Sequence, residues 1–211
     1  MKRKITDLSV RFSENFILNM IDCTPDSPIY ETAMQELKEL EDRAYSLIRP
    51  RAVAAWGEID REASSDGIPE GTKALFTIAT LGKEISEWSS CLFREGDYLG
   101  GMLVNAMADE ALFQVDTAVQ QAVIEMSRSM NMGVKQRVEA PNDIEMVSQR
   151  LAWEVTEAKE EIGVGIRSSY MLDPLKTNCV IYLLDRFCSE YRTAHNCKNC
   201  KAVHCKRRMA E

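Results

Sequence analysis

The chain has 211 residues, of which 45% are apolar and 28% are of charged types, as is typical of a globular protein with its own core. Its apolar runs are too short to span a membrane, and its start lacks the apolar block of a signal peptide, so we predict a cytoplasmic protein. The net charge is −7, but residues 191–210 hold six basic and no acidic residues, which leaves 20 basic against 33 acidic residues elsewhere. Because an acidic body repels a phosphate backbone, we expect no binding to nucleic acid.

Hydrophobic periodicity and turn residues divide the chain into helices and strands. We expect Ser27 to be the N-cap of the first long helix and Pro28 to occupy its first position. The longest periodic stretch, residues 97–130, is predicted to form one helix with an apolar face. In chain order, the predicted elements are a strand and a helix within residues 1–22, a helix over 29–48, strands over 51–59 and 73–80, a helix from 83 to about 93, the long helix, a strand over 134–138, a helix over 144–160, and strands over 163–169 and 178–184.

This order of elements predicts an α+β fold in which long helices pack on an antiparallel or mixed sheet. The last two predicted strands are expected to form a pair, joined through residues 170–176. We divide the chain into an N-terminal helical segment (residues 1–50), an α+β core (residues 51–187) and a basic tail rich in cysteine and histidine (residues 188–211).

Seven cysteines in a cytoplasmic chain argue against a disulfide framework. Cys23, Cys91 and Cys179 stand alone in mixed or apolar surroundings, and we predict that they are small core residues. The other four cysteines lie within the last 24 residues, together with both histidines of the chain.

The C-terminal cysteines form the most specific pattern in the sequence, with C-x2-C-x4-C spacing. A C-x2-C pair lets two thiolates reach one ion from a single tight turn, and the third cysteine can close on the same ion. With a fourth ligand these residues would form a tetrahedral zinc site, and three or four thiolates could equally bind an iron–sulfur cluster. A reduced tail whose cysteines bind nothing is the third interpretation. The candidate metal ligands are Cys197, Cys200 and Cys205, with Cys188, His195 or His204 as a further ligand.

Glu110 and Arg137 form a second candidate site. Glu110 lies on an apolar line of the long helix, where a carboxylate needs a cation, a hydrogen-bond donor or a ligand. It could pair with Arg137 or a lysine, or it could face a ligand. Arg137 follows the long helix and could bind the carboxylate of a ligand, of Glu110 or of Glu139 in a bidentate manner. The sequence contains no P-loop, dinucleotide fingerprint, nucleophile elbow or H-E-x-x-H motif, so an ordinary hydrolase is unsupported.

The order of these motifs resembles a known family. The stretch GDYLGGMLVNAMADEALFQVD, then Arg137 with a proline shortly after, then a helix and IGVGIRSSYMLDPLKT before an apolar strand, is similar to the activation domain of cobalamin-dependent methionine synthase. The resemblance covers roughly residues 75–208. Small free-standing proteins that look like this domain occur beside corrinoid methyltransferases, and some end in a C-x2-C-x4-C-x-x-R tail like the one that ends here at Arg208.

The resemblance implies a twisted antiparallel sheet in a domain that binds S-adenosylmethionine and docks on a corrinoid protein, so that inactive cob(II)alamin can be reduced and remethylated. In the family, a glutamate on the long helix and an arginine in an R-x-x-P-G-Y motif contact S-adenosylmethionine, and Glu110 and Arg137 match these two. The sequence after Arg137 departs from the motif: the proline, Pro141, comes one residue late, and the glycine and tyrosine are missing. This removes the backbone that approaches the ligand closely in the family.

These observations predict an accessory protein of a corrinoid-dependent methyl-transfer system, with cobalamin bound only by a partner protein. If the chain is an enzyme, its reaction would belong to cobalamin-dependent methyl transfer or to reductive activation of the corrinoid. Two other classes remain open, namely a redox protein with an iron–sulfur cluster and a protein-interaction module held together by zinc. Both depend on the C-terminal cysteines.

Overall fold

A computed structural model of the chain describes residues 1–6 and 8–195, which form seven strands and six helices. In chain order, the elements are β1 (Lys2–Ile5), α1 (Glu14–Met20), α2 (Tyr30–Leu47), β2 (Arg51–Glu58), β3 (Lys73–Thr80), α3 (Glu84–Glu95), α4 (Tyr98–Ser129), β4 (Gly133–Val138), α5 (Val147–Thr156), α6 (Ala158–Ile162), β5 (Gly165–Ile166), β6 (Leu172–Asp173) and β7 (Thr177–Asp185).

Five strands form one antiparallel sheet in the order β1-β2-β3-β7-β4. At its centre, β3 pairs with β7, and the hydroxyl of Thr77 donates to the carbonyl oxygen of Val180 on the opposite strand at 2.8 Å. All residues of β3 after Lys73 are buried, because other elements cover both faces of the sheet there. The predicted α+β class with an antiparallel sheet is confirmed.

On one face of the sheet, α4 crosses strands β2, β3, β7 and β4, and α1, α2 and α3 pack against α4. The carboxylate of Asp97 caps α4 by accepting the N–H of Gly100 at 2.9 Å. A helix of 32 residues is about 48 Å long, so α4 is long enough to cross these four strands. This confirms the helix predicted over residues 97–130. Within the described part of the chain, neither α4 nor another helix is long and apolar enough to cross a membrane.

The opposite face of the sheet packs against α5, α6 and the loop between β2 and β3. Its core is apolar and separate from the core under α4, because the sheet lies between them. The largest members of this second core are Ile59, Ile68, Phe76, Ile78, Ile144, Leu151, Ile162, Leu172, Ile181 and Leu183. Two cores on the two faces explain why β2, β3 and β7 have long apolar runs rather than strict alternation.

The N-terminal residues belong to the core under α4. Strand β1 pairs with β2 at the edge of the main sheet, and the buried side chains of Ile17 and Leu37 place α1 and α2 in that core. The strand and helix predicted within residues 1–22 are therefore confirmed. The division at residues 50 and 187 stays a prediction.

The start of α2 differs from the prediction. The hydroxyl of Ser27 accepts the N–H of Thr24 at 2.9 Å, and the carbonyl oxygen of Ser27 accepts the N–H of Tyr30 at 3.0 Å. Ser27 thus closes a turn, and α2 begins at Tyr30 with Ile29 as its N-cap and without a side-chain cap. A serine before a proline also fits a tight turn, which explains why the motif was misassigned.

The predicted helix over residues 144–160 is two helices in the structure. Glu157, with φ at 52°, has a left-handed conformation that ends α5 and starts α6. The break lets α6 turn back towards β2, and the Trp153 indole N–H donates to the carbonyl oxygen of Val164 at 2.7 Å. One residue with positive φ leaves the hydrophobic pattern almost unchanged, so periodicity could not show it.

The prediction that the last two strands pair with each other was wrong. Strand β5 pairs with β6 in a small separate sheet, and β6 lies in the segment predicted to be the connection. Strand β7 instead lies between β3 and β4. The long apolar run of β7 fits a central strand that is covered on both faces. Pairing with the two-residue strand β5 would leave most of β7 without a neighbouring strand.

Candidate functional site

Glu110 is buried on α4, with 6% of its surface exposed. Both of its carboxylate oxygens accept the backbone N–H of Ser13, at 3.1 and 3.0 Å, and Oε1 also accepts from the Gln114 side chain at 3.3 Å. Burial raises the pKa of Glu110, and the hydrogen bonds from Ser13 and Gln114 act against this rise. The predicted need for a partner is thus met by the main chain of an N-terminal segment.

That segment, residues 8–13, is the N-terminal strap, and side chains of α2 and α4 bind its backbone. The Gln114 amide accepts the N–H of Arg11 at 2.9 Å and donates to the Arg11 carbonyl oxygen at 2.6 Å. The Tyr45 hydroxyl accepts the N–H of Phe12 at 2.9 Å, and the two rings stack with centroids 4.4 Å apart. The strap therefore covers α4 beside Glu110.

Arg137 lies on β4 and faces α4, with 7% of its side chain exposed. Nη1 and Nη2 donate to the two carboxylate oxygens of Asp116 at 2.8 and 3.2 Å. Nε donates to Glu139 at 2.6 Å, and Nη1 also donates to the carbonyl oxygen of Thr193 at 3.2 Å. At least four of the five N–H groups of the guanidinium thus have acceptors within the chain.

The electrostatics of this group are those of a buried and compensated cation. Burial alone would lower the pKa of Arg137, but the phenol group of Tyr182 and the carboxylates of Asp116 and Glu139 raise it above its ordinary value. Burial raises the pKa of Tyr182, and the charge of Arg137 opposes that rise. We call Asp116, Arg137, Glu139 and Tyr182 the Arg137 cluster. The cluster contains two carboxylates and one guanidinium. Among these three charged residues, Glu139 is the most exposed, with 29% of its side chain accessible to solvent.

A second ion pair, between a buried lysine and a half-buried aspartate, extends the polar surface along α4. Lys176, just before β7, is 7% exposed and donates from Nζ to Asp109 at 2.5 Å. Asp109 and Asp116 are seven residues apart, about two turns, and therefore share one side of α4. Between these pairs, the Asn178 amide donates to Asp116 at 3.3 Å. Polar contacts thus connect α4 to the start of β7 and to β4.

Glu110 and Arg137 do not come together. Glu110 and Asp116 are six residues apart on α4, so their side chains leave the helix about 120° apart around its axis. Glu110 consequently faces α1 and the strap, whereas Asp116 and Arg137 face the sheet. Of the two intramolecular partners that the sequence offered for Arg137, Glu139 is the one observed. Ligand binding by either residue stays a prediction.

Sequence reasoning missed Asp116, the main partner of Arg137. It lies among the apolar residues of α4, where it interrupts the core-facing side between Val115 and Val119. The sequence did contain a signal for Asp116, since it is a second acidic residue among apolar neighbours on the same helix as Glu110. The Asp116 position, two turns after Asp109, would have predicted a polar strip on the side of α4 that faces the sheet.

The candidate metal ligands fall into two groups. Cys197, Cys200, His204 and Cys205 lie outside the described residues. Cys188 and His195 are described, and the Cys188 thiol donates to the carbonyl oxygen of Glu190 at 3.6 Å. Among residues 1–6 and 8–195, no three cysteine, histidine, aspartate or glutamate side chains come together as a metal site.

The three lone cysteines have different surroundings. Cys23 is buried, as predicted, whereas Cys91 and Cys179 are intermediate in exposure. Burial of its sulfur, with the charge of Glu139, raises the pKa of the Cys179 thiol to about 12. These surroundings therefore disfavour the thiolate form of Cys179.

Comparison with solved structures defines the class of fold. The crystal structure of the MetH reactivation domain bound to AdoHcy is similar to this chain, with a TM-score of 0.57 and 14% sequence identity. The similarity covers 93% of this chain and 82% of that domain. The chain therefore has a reactivation-domain-like fold, as the sequence predicted. No family model matches the sequence. A search of curated proteins likewise gave no match.

Proposed function

We propose that this chain is an accessory protein of a corrinoid-dependent methyl-transfer system, and that it binds a corrinoid protein and assists its reductive reactivation. One observation carries the proposal, namely that nearly the whole chain shares its fold with the MetH reactivation domain. In this function, cobalamin is bound by the partner and not by this chain. The electron for reactivation comes from an external reductant.

We further propose that a ligand of the AdoHcy and S-adenosylmethionine class binds at the exposed end of the Arg137 cluster. The carboxylate of Glu139 accepts a hydrogen bond from Nε of Arg137 at 2.6 Å, and the Glu139 side chain is partly exposed. The carboxylate of such a ligand can take the same place if Glu139 turns towards solvent. Asp116 stays in position during this exchange, because it is 3% exposed and is bound through both oxygens.

Glu110 has a secondary part in this proposal. Its carboxylate is bound to the N–H of Ser13, so it can meet the aminium group of a ligand only after the N-terminal strap moves. The Arg137 cluster needs only the movement of one side chain. We therefore assign the first contact with the ligand to Arg137 and test Glu110 separately.

Titration calorimetry with AdoHcy on the full chain tests the ligand. We expect Glu139→Gln to bind AdoHcy several-fold more tightly than the wild type, because the competing charge is gone. Glu125→Gln, an exposed change on α4, is the matched control and should leave the affinity unchanged. Absence of binding to both wild type and Glu139→Gln would refute the ligand site. Weaker binding by Glu110→Gln would add Glu110 to it.

Binding to a purified corrinoid protein that carries cob(II)alamin tests the partner. We expect a stable complex in size-exclusion chromatography, and faster remethylation of the corrinoid when S-adenosylmethionine and a reductant are supplied. Failure to form the complex would refute the accessory role even if AdoHcy binds. AdoHcy binding and corrinoid binding therefore test separate parts of the proposal.

A further inference from the structure

Three large apolar side chains are exposed together where α3 meets α4. Phe93 lies near the end of α3 and is 39% exposed, and Tyr98 and Met102, in the first turns of α4, are 67% and 42% exposed. Tyr98 and Met102 are four residues apart and share one side of the helix, and the rings of Phe93 and Tyr98 have centroids 6.4 Å apart. A cluster of exposed apolar residues, unlike a single one, is typical of an interaction surface. We call these three residues the junction patch.

A tight connection between the two helices fixes the junction patch. Gly96, with φ at 86°, ends α3, and the N–H groups of Gly96 and Asp97 donate to the carbonyl oxygens of Phe93 and Leu92 at 3.3 and 3.0 Å. The Phe93 ring packs on the α4 backbone at Gly101, where an added Cβ would be 3.0 Å from three ring atoms. A surface that is already ordered loses little entropy when a partner binds, which favours association.

An acidic cleft between α2 and the start of α4 adjoins the junction patch at Asp97, the residue before Tyr98. The cleft is lined by four carboxylates and three neutral residues, namely Glu31, Thr32, Gln35, Glu36, Glu39, Leu40 and Asp97. Burial, together with the negative charge of Asp97, raises the pKa of Glu36. Among residues 1–6 and 8–195, no ion pair involves any of these four carboxylates. The negative charge beside the patch is therefore uncompensated in this part of the chain.

This charge decides which kind of partner fits the surface. A two-fold contact between copies of the chain brings the same surface of each copy together, so it would set one acidic cleft against another. The cleft would also repel nucleic acid and anionic lipid headgroups. A protein surface that carries basic residues around an apolar one is favoured twice, because it buries the junction patch and pairs with the carboxylates of the cleft.

We propose that the junction patch, with the acidic cleft as its rim, is the surface on which a basic and apolar face of the corrinoid protein docks. The identity of this partner rests on the proposed function. The position of the surface and the charge of its partner are inferred from the side chains of α2, α3 and α4. Asp109 follows Met102 by seven residues, about two turns on the same side of α4, and Asp116 follows by two turns more. A partner on the patch can thus extend along α4 towards the Arg137 cluster.

Calorimetry with the purified corrinoid protein at low salt tests the junction patch. We expect the double variant Tyr98→Ser, Met102→Ser to weaken the complex at least tenfold, because it loses the apolar area that the partner buries. Its circular dichroism spectrum should match the wild type, since both side chains are exposed. Phe187→Ser, which removes an exposed ring in the turn after β7, is the matched control and should bind like the wild type.

The outcomes of this experiment separate the docking surface from the proposed function. If the wild type binds the corrinoid protein and the double variant binds equally well, the docking surface is overturned and the corrinoid role stands. If the wild type does not bind, both the role and the docking surface are refuted.

The rate of association tests the acidic rim. We expect Glu36→Gln with Glu39→Gln to slow association several-fold at low salt, and the difference to disappear at high salt, because exposed charges are then screened. Glu125→Gln, an exposed change near the other end of α4, is the control and should leave the rate unchanged. Association as fast as that of the wild type in the cleft variant would show that the partner face is not basic, against the proposal.

A photoreactive p-benzoylphenylalanine at position 102 tests the contact directly. Irradiation of the mixed proteins should join position 102 to the corrinoid protein, and the same group at position 187 should not react with it. Cross-links from position 187 alone would overturn the proposal. In sedimentation equilibrium of the chain without partner, the wild type and the Tyr98→Ser, Met102→Ser variant should have the same mass. A dimer that this variant breaks would assign the junction patch to a second copy of the chain instead.

Discussion

The guanidinium of Arg137 and the carboxylate of Asp116 form a two-point ion pair that joins β4 to α4, with 7% and 3% of the two side chains exposed. A charge at this depth is tolerated only with a partner and further hydrogen bonds, which Glu139 and Thr193 provide. Because Arg137 also donates to the carbonyl oxygen of Thr193, this ion pair connects the long helix, β4 and the chain that follows β7.

Asp116→Asn should strongly destabilise the protein. The change leaves the Arg137 charge buried with only Glu139 opposite it, and breaking a buried ion pair costs about 3–5 kcal/mol. Urea unfolding followed by circular dichroism measures the loss. Glu125→Gln removes an exposed pair with Arg3, whose side chains are 61% and 48% exposed, and should change stability little. Equal stability of the two variants would show that the buried pair contributes no more than a surface one.

Glu110 should make stability fall as the pH rises. Its pKa in the folded protein is raised above the ordinary 4.5, mainly by burial. Between the ordinary and the raised value the folded state binds more protons than the unfolded state, so the free energy of unfolding decreases through that window. Glu110→Gln keeps an acceptor for Ser13 without a charge, and it should gain stability relative to the wild type between pH 4 and 7. Urea unfolding at both pH values measures the two free energies of unfolding. If Glu110→Gln became less stable relative to the wild type as the pH rises, the result would contradict the burial of the charge.

Gly133→Ala should displace residues 188–192, which run parallel to the start of β4. An added Cβ would lie 2.2 Å from the carbonyl oxygen of Cys188 and 2.7 Å from that of Glu190, and both are backbone atoms. We expect a loss of about 1–3 kcal/mol, typical of overpacking, and faster exchange of the Arg192 amide. Gly67→Ala is the matched control, because a Cβ there meets no atom within 4 Å. If both variants behave alike in unfolding and exchange, the close approach at Gly133 is not required.

Gln114→Ala should loosen the N-terminal strap. The variant loses both hydrogen bonds to the backbone of Arg11, and we expect a loss of about 1 kcal/mol together with faster amide exchange at Arg11 and Ser13. Gln35→Ala removes an exposed contact with Glu39 on α2 and should leave that exchange unchanged. Unaltered exchange in Gln114→Ala would mean that the contacts of the strap with Tyr45 and Glu110 fix it without Gln114.

Local pattern in the sequence was sufficient for most of the fold. Alternation and periodicity of apolar residues report directly on which side chains leave water, so they predicted α4, β2, β3, β4 and the α+β class. They failed where one residue decides the outcome. Glu157 splits a helix through its positive φ. The hydroxyl of Ser27 accepts the N–H of Thr24 in a turn and does not cap a helix.

Only the tertiary structure decided which polar groups meet. The sequence identified Glu110 as a buried carboxylate that needs a partner and Arg137 as a residue able to bind one. It could not show that Ser13 would bind the first and Asp116 the second, because these contacts join residues 97 and 21 positions apart. The partner of a buried charge depends on the rotation of α4 over the sheet, and packing of the whole core sets that rotation.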